Sequence, residues 1–406
     1  MFFTSSGEFF VIAAYLILQL LVRRFLGNKM NKGLLLVGNI VLLSTMVTYY
    51  TLGIHVLLSL LVYLIGKQIS KPSYSRAKRL TIIAVVSIIG LYCVRAYPAA
   101  FGINSFQLTS DPRSIIQRLG ISYIMFRHIQ FLVDSYKGKI RAYAFIDYVN
   151  FILFFPNFLA GPIDVYNNFK RWSDRQNGKI KNALILPGIG RILIGFIKKF
   201  ALVPLIYASA VSYEPFLETM EPVQAILLSL VYYSLYIYLD FSGYSDIAIG
   251  SGYIMGIRTP ENFKMPYLST NIADFWRKWH ITFSDFLREL IFKPIVKGMA
   301  KWKIKLPRLS VSVIGYILTF FICGIWHGDT ANFVYWGLWH GVGLSIYKLW
   351  SSTTIHDKVH ASLKKAKMKW FSDLVGFGIT FCFVTFGWVF FHYSKQDLSD
   401  IFEILF

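Results

Sequence analysis

Leu309-Ser-Val-Ser-Val-Ile-Gly-Tyr-Ile-Leu-Thr-Phe-Phe-Ile-Cys-Gly-Ile-Trp326 runs for eighteen residues without a charge. A helix that crosses a hydrocarbon core needs about 20 mainly apolar residues, so this stretch reads as a membrane span. It ends at His327-Gly328, and a second apolar block, Phe333–Trp350, follows at once. Both outer ends of the pair are basic, with six Lys/Arg in 293–308 and five in 353–370. Excess Lys and Arg mark cytoplasmic loops. The two blocks therefore form a hairpin whose bend, carrying His327, faces the other side.

The same reading extends along the chain. Eight more blocks have suitable length: Phe9–Val22, Gly33–Gly53, Ile54–Gly66, Leu80–Tyr97, Leu119–Val133, Leu184–Ala210, Val223–Asp240 and Phe371–Phe391. The 406 residues are 55% hydrophobic and 16% charged, with a net charge of +21, whereas a soluble chain carries roughly 25% charged residues. A basic balance ordinarily raises nucleic acid as a partner, but here the charge follows topology. Six loops (23–32, 67–79, 134–145, 163–183, 293–308 and 353–370) hold 28 of the 42 basic residues. Segments 1–8, 98–117, 211–222 and 392–406 hold two basic and eight acidic residues. Alternation from an outside N-terminus gives ten crossings, with both termini outside. Met1–Glu8 lacks a basic n-region, so no cleavable signal is expected. Cys93, Cys323 and Cys382 form no motif.

Two apolar stretches must then not cross. Phe151–Pro162 contains the helix breakers Pro156, Gly161 and Pro162. It reads as re-entrant, which is allowed where protein buries the backbone. Phe241–Leu290 carries Asp246, Asp274, Arg277, Asp285, Arg288 and Glu289, with Asp240 just before it. It is too polar to face lipid. It reads as helices dipping into a protein-lined cavity from the cytoplasmic side, or as a cytoplasmic loop with interfacial helices. The expected fold is an all-α polytopic membrane protein, a single domain over 1–406, with about ten transmembrane helices plus re-entrant helices.

Ionisable groups at membrane depth are costly and point to function. His327, flanked by Trp326 and Gly328, suits a general base for a hydroxyl, or a hydrogen bond across helices. His280 lies in Phe275-Trp-Arg-Lys-Trp-His-Ile-Thr-Phe-Ser284. Helical spacing would put Trp276, Trp279, His280 and Phe283 on one face. That is either a working histidine in an aromatic stripe or an interfacial Trp/Arg anchor. His340, in a second Trp-His-Gly, reads as packing. His356 and His360 mimic a zinc pair but lack the Glu and a third ligand, so they read as solvated surface and no metal is expected. His55, His128 and His392 have no supporting constellation. Phosphate-loop, dinucleotide and nucleophile-elbow motifs are absent from the sequence. A channel or carrier would scatter charges over several spans, whereas the polar residues here concentrate between 240 and 341.

Further stretches join these: Gly120-Ile-Ser-Tyr123 with Phe126, Phe155-Pro-Asn-Phe-Leu-Ala-Gly-Pro162, Asp240-Phe-Ser-Gly-Tyr-Ser-Asp246, Pro260-Glu-Asn-Phe263, Pro266-Tyr-Leu-Ser269, Asn332-Phe-Val-Tyr-Trp-Gly337 and Phe386-Gly-Trp-Val-Phe-Phe391. In these, and in Phe275–His280 and Gly324–Gly328, the chain resembles the membrane-bound O-acyltransferase family, in its bacterial cell-envelope branch. The motifs run in family order over roughly residues 115–391, while the N-terminal third contributes only hydropathy. The resemblance implies a funnel of helices around a central tunnel. It matches His327 to the catalytic histidine and His280 to the second signature position. It implies that Trp279, Trp326, Gly328, Asn332, Asp240, Ser242, Tyr244 and Asp246 line the tunnel. Arg277 and Arg288 would meet phosphate or pantetheine groups of the donor, or act as plain anchors.

The implied reaction moves an acyl group, acetyl first, from a cytoplasmic thioester to a hydroxyl on an extracytoplasmic polysaccharide or partner protein. The donor, acetyl-CoA or a carrier-protein thioester, is a co-substrate, and no bound cofactor is implied. D-alanyl transfer to teichoic acid is the alternative. Phe126-Arg127 and Gly161-Pro-Ile-Asp164 favour it, while Val165-Tyr166, where that pattern expects an Arg, weakens it. A non-catalytic scaffold or transporter is more remote. Implied partners are membrane lipid, an extracytoplasmic esterase-like acyltransferase, and a cytoplasmic acyl carrier protein with its ligase. The implied location is the bacterial cytoplasmic membrane.

Overall fold

The computed structural model describes residues 6–25, 27–71, 76–96, 112–175, 183–301, 306–328, 330–393 and 395–405. Among them every regular element is helical. The first helices are α1 (Ser6–Phe25), α2 (Gly27–Met46), α3 (Tyr49–Ile69), α4 (Ala77–Ala96), α5 (Pro112–Tyr136), and the short α6 (Phe145–Ile152) and α7 (Tyr166–Ser173). Next come α8 (Ile185–Val211), α9 (Pro222–Ile254), and the short α10 (Ile272–Lys278), α11 (Ile281–Leu287) and α12 (Lys293–Met299). The last are α13 (Arg308–His327), α14 (Ala331–Trp350), α15 (Thr354–Lys365), α16 (Lys369–His392) and α17 (Lys395–Leu405). Among the described residues each of the ten apolar blocks falls mainly on a helix of its own. Among the described residues α3, α8, α9, α13 and α16 are long and apolar enough to cross a membrane. The expected boundary at Gly53 moves to Val47-Thr48, because hydropathy is continuous there and carries no signal for the break. Parts of segment 98–117 and of loops 67–79, 163–183 and 293–308 lie outside the described residues.

The chain divides into two compact units, residues 1–196 with 243–260 and residues 197–242 with 261–406. In the first, α8 and α9 touch backbone to backbone. A Cβ at Gly195 would lie 2.6 Å from Gly243 O, and one at Gly250 would lie 2.5 Å from Gly188 O. Small residues allow such approach where lipid supplies no hydrophobic drive. Residues 241–254 are therefore not a separate dipping helix. They continue α9 to Ile254, a helix of 33 residues that is about 50 Å long. The carboxylate that argued against this is paired, Arg191 to Asp246 at 2.8 Å.

The re-entrant stretch is also built in the first unit. After α6 the chain makes a 3₁₀ turn at Phe155–Asn157, and the side chains from Phe151 to Leu159 are buried. Its carbonyls find a donor in Arg127 of α5, which is 1% exposed. The guanidinium donates to Phe151 O (3.2 Å), Ile152 O (2.7 Å) and Asn157 O. Arg127→Met leaves these acceptors unsatisfied, and each costs about 1–3 kcal/mol. A lower thermal unfolding midpoint in detergent is the expected result, and an unchanged midpoint would remove this role.

A closed ring of charges joins α2, α6 and α7. Lys32 reaches Asp147 and Asp174 at 2.7 and 2.5 Å. Lys170 reaches the same two at 2.7 and 2.6 Å.

Candidate active site

In the second unit α13 and α14 form the hairpin expected around Trp326–Gly328, and glycine sets its closeness. A Cβ at Gly324 would lie 2.4 Å from Phe333 O, and one at Gly337 would lie 2.2 Å from Phe320 O. The last turn of α13 then presents half-buried His327 to a shell of rings. Ring centroids lie at 4.5 Å for Trp326, 4.8 Å for Trp336, 5.1 Å for Phe391 and 6.3 Å for both Phe283 and Phe333. Among the described residues no side chain hydrogen-bonds the His327 ring. It is held by packing, and a neutral imidazole carries one N–H and one lone pair.

His280 is placed differently from the helical reading. There is no continuous stripe: α10 stops at Lys278, and His280 has a left-handed backbone (φ 43°) before α11. Such a φ is uncommon outside glycine. The cause is the stretch Pro260–Lys264, which bonds across the break. Ile281 N–H donates to Asn262 O (2.9 Å), and Lys264 N–H donates to Lys278 O (3.0 Å). His280 is buried against Phe241 (4.8 Å) and Phe283 (5.0 Å). Burial, with His327 nearby, holds its imidazole well below the ordinary range, so it is neutral near pH 7. Phe283 packs on both histidines and on Trp326 (4.6 Å).

Trp279 is buried beside Phe263 (5.1 Å) and Trp388 (5.4 Å). The remaining sequence candidates make internal contacts. Asp240 pairs with Lys199, and Ser242 accepts from Lys198 (3.2 Å). Both lysines lie in a π-helical turn, Ile197–Leu202. Asn332 donates to Tyr393 O (2.7 Å), and a Cβ at Gly328 would meet the Phe333 ring at 2.1 Å. Tyr244, which donates to Pro156 O (3.3 Å), and Asp246 belong to the first unit. Arg277 and Arg288 are 61% and 53% exposed and pair with Asp274 (3.2 Å) and Asp285 (2.8 Å).

Of the other histidines, His340 shares Trp336 with His327, and His55, His128, His356 and His392 have other partners. His340 is fully buried between Trp276 (5.1 Å) and Trp336 (5.0 Å). His392 stacks on Tyr233 (4.1 Å), and His356 lies beside Asp357 (3.1 Å). In the first unit His128 Nδ1 meets Tyr148 OH (2.7 Å), and His55 packs on Phe158 (6.0 Å). The His360 side chain lies outside the described residues. Sequence reasoning placed Phe283 on the expected aromatic face but did not single out Phe333, Trp336, Phe391 or Asn262. The four rings join from three helices, α11, α14 and α16, which no local spacing reveals. Asn262 carried a signal as the polar residue of Pro260-Glu-Asn-Phe263.

The family model for membrane-bound O-acyltransferases matches residues 40–394. The chain is 34% identical over 309 residues to the teichoic acid D-alanyltransferase of Bacillus subtilis, covering 76% of each. It is 32% identical over 381 residues to the peptidoglycan O-acetyltransferase of Helicobacter pylori, covering 84% of this chain and 67% of that one. A probable alginate O-acetylase of Pseudomonas syringae is 30% identical over 313 residues, and there the match spans 76% of this chain and 55% of the relative. With two histidines sharing one cluster of aromatic rings and a family match over most of its length, the chain belongs to the membrane-bound O-acyltransferase family and is an acyltransferase.

Proposed function

We propose that the protein moves an acetyl group from a cytoplasmic thioester to a hydroxyl of an extracytoplasmic envelope polymer, with His327 as general base. The observation that carries this is the uncharged aromatic shell of His327. Such a shell excludes water, which protects a thioester. It also suits a neutral acetyl, since among the described residues no carboxylate stands in the shell to answer the ammonium of a D-alanyl group. The His327 lone pair takes the hydroxyl proton, and the oxygen attacks the thioester carbonyl. The tetrahedral adduct then expels the thiolate, which recovers the proton as thiol. Trp279 and Trp326 wall the path, and exposed Arg277 and Arg288 meet phosphate groups of acetyl-CoA or of a carrier protein.

The relatives that act on peptidoglycan and alginate support a sugar hydroxyl as acceptor. The 34% identity to a teichoic acid D-alanyltransferase favours D-alanyl transfer as the second reading. Ten helical blocks and the one-sided basic loops support ten crossings of a bacterial cytoplasmic membrane, with both termini outside. An extracytoplasmic esterase-like transferase completes the acetyl route, and a cytoplasmic carrier protein the D-alanyl route. The test is mass spectrometry of envelope polymers from cells with and without the gene. Loss of acetyl is expected. Loss of D-alanyl selects the second reading, and no change in either removes both.

A further inference from the structure

We propose that Asn262 fixes His280 as its Nδ1–H tautomer, so that neutral His280 works in the reaction as a hydrogen-bond acceptor through Nε2. This rests on the acyl-transfer reading above. Asn262 is fully buried, and its Oδ1 lies 3.1 Å from His280 Nδ1, 2.9 Å from Thr282 Oγ1 and 3.4 Å from Thr282 N. A backbone N–H only donates, so the Asn262 atom facing Thr282 N is the carbonyl oxygen. That oxygen only accepts, so the His280 nitrogen facing it carries hydrogen. A neutral imidazole has one N–H, and the lone pair is left on Nε2. Neutral His280 therefore cannot donate through Nε2 to the oxyanion of the tetrahedral adduct.

The backbone supports the same assignment. The Ile281 N–H to Asn262 O bond holds the left-handed turn at His280, and strained backbone persists where its surroundings over-determine it. Phe241 of α9, Phe263 and Phe283 pack on the ring. The titratable neighbour acting on it is His327 of α13. Asn262 is thus a positioning residue, working through His280.

The experiment uses full-length protein in lipid nanodiscs with ¹⁵N-labelled histidine, and His280→Gln assigns the signal. The native protein shows a protonated Nδ1 and a bare Nε2 at neutral pH. Asn262→Leu removes the acceptor and mixes or reverses the tautomers. Its kcat falls at least about 10-fold with KM nearly unchanged. Asn262→Asp keeps an acceptor and adds a charge that favours the imidazolium. It keeps the native tautomer and moves the acid limb of kcat up by about one pH unit or more. A native Nε2–H tautomer, or an unchanged tautomer in Asn262→Leu, overturns the proposal. So does full kcat in Asn262→Leu with the tautomer reversed. Failure of the acetyl reading looks different: native protein turns over no acetyl thioester, while the nitrogen spectra keep the native pattern.

Discussion

Replacing His327 by alanine lowers acyl transfer by at least about 100-fold, the ordinary worth of a positioned general base, while the protein accumulates normally. The structure separates these two outcomes. The ring is half-buried and sits in the shell through packing alone. Among the described residues its removal leaves no buried hydrogen-bond partner orphaned, so the stability cost is an ordinary one of about 1–2 kcal/mol. His327→Gln keeps polarity and much of the volume without a base, and shares the loss. The measurement is acyl transfer to polymer in isolated membranes, normalised to protein level. Full transfer by His327→Ala at normal level would sink the assignment of the base.

Gly337→Val disables the hairpin itself. The new Cβ would stand 2.2 Å from Phe320 O and 3.1 Å from Gly324 Cα. Both obstacles are backbone, so no side-chain rotation relieves them, and α13 must move away from α14. Overpacking on this scale costs about 3 kcal/mol or more. It also displaces Trp336, which packs on His327. The unfolding midpoint in detergent falls sharply and transfer is lost. Gly190→Ala is the control, because nothing lies within 4 Å of its Cβ position and alanine favours a helix by up to about 1 kcal/mol. Equal midpoints for the two variants would show that the hairpin tolerates separation.

The hairpin and the placing of His327 at its bend were legible because a long uncharged block, a basic outer end and a glycine each have one physical meaning. The break at His280 was not. Trp276, Trp279, His280 and Phe283 fit a helix by spacing, and the segment that interrupts them, Pro260–Lys264, lies eighteen residues away at Asn262. The extent of α9 was hidden for a similar reason. Asp246 looks unfit for lipid until Arg191 is seen beside it. Glycine spacing on α8 and α9 was visible, but which glycine meets which is a tertiary fact. The shell of His327 draws rings from α11, α13, α14 and α16. Only its Trp326 stands next to His327 in sequence.

The ring of Lys32, Asp147, Lys170 and Asp174 gives two lysines a double history. In the proposed topology both stand on the cytoplasmic side, where their charge helps orient the nascent chain during insertion. Once α2, α6 and α7 have assembled, the same charges are cancelled within the ring. Orientation requires any cation, whereas the ring requires a compact ammonium that two carboxylates can share. Lys170→Arg therefore separates biogenesis from assembly: the chain inserts the right way round, and then closes less firmly.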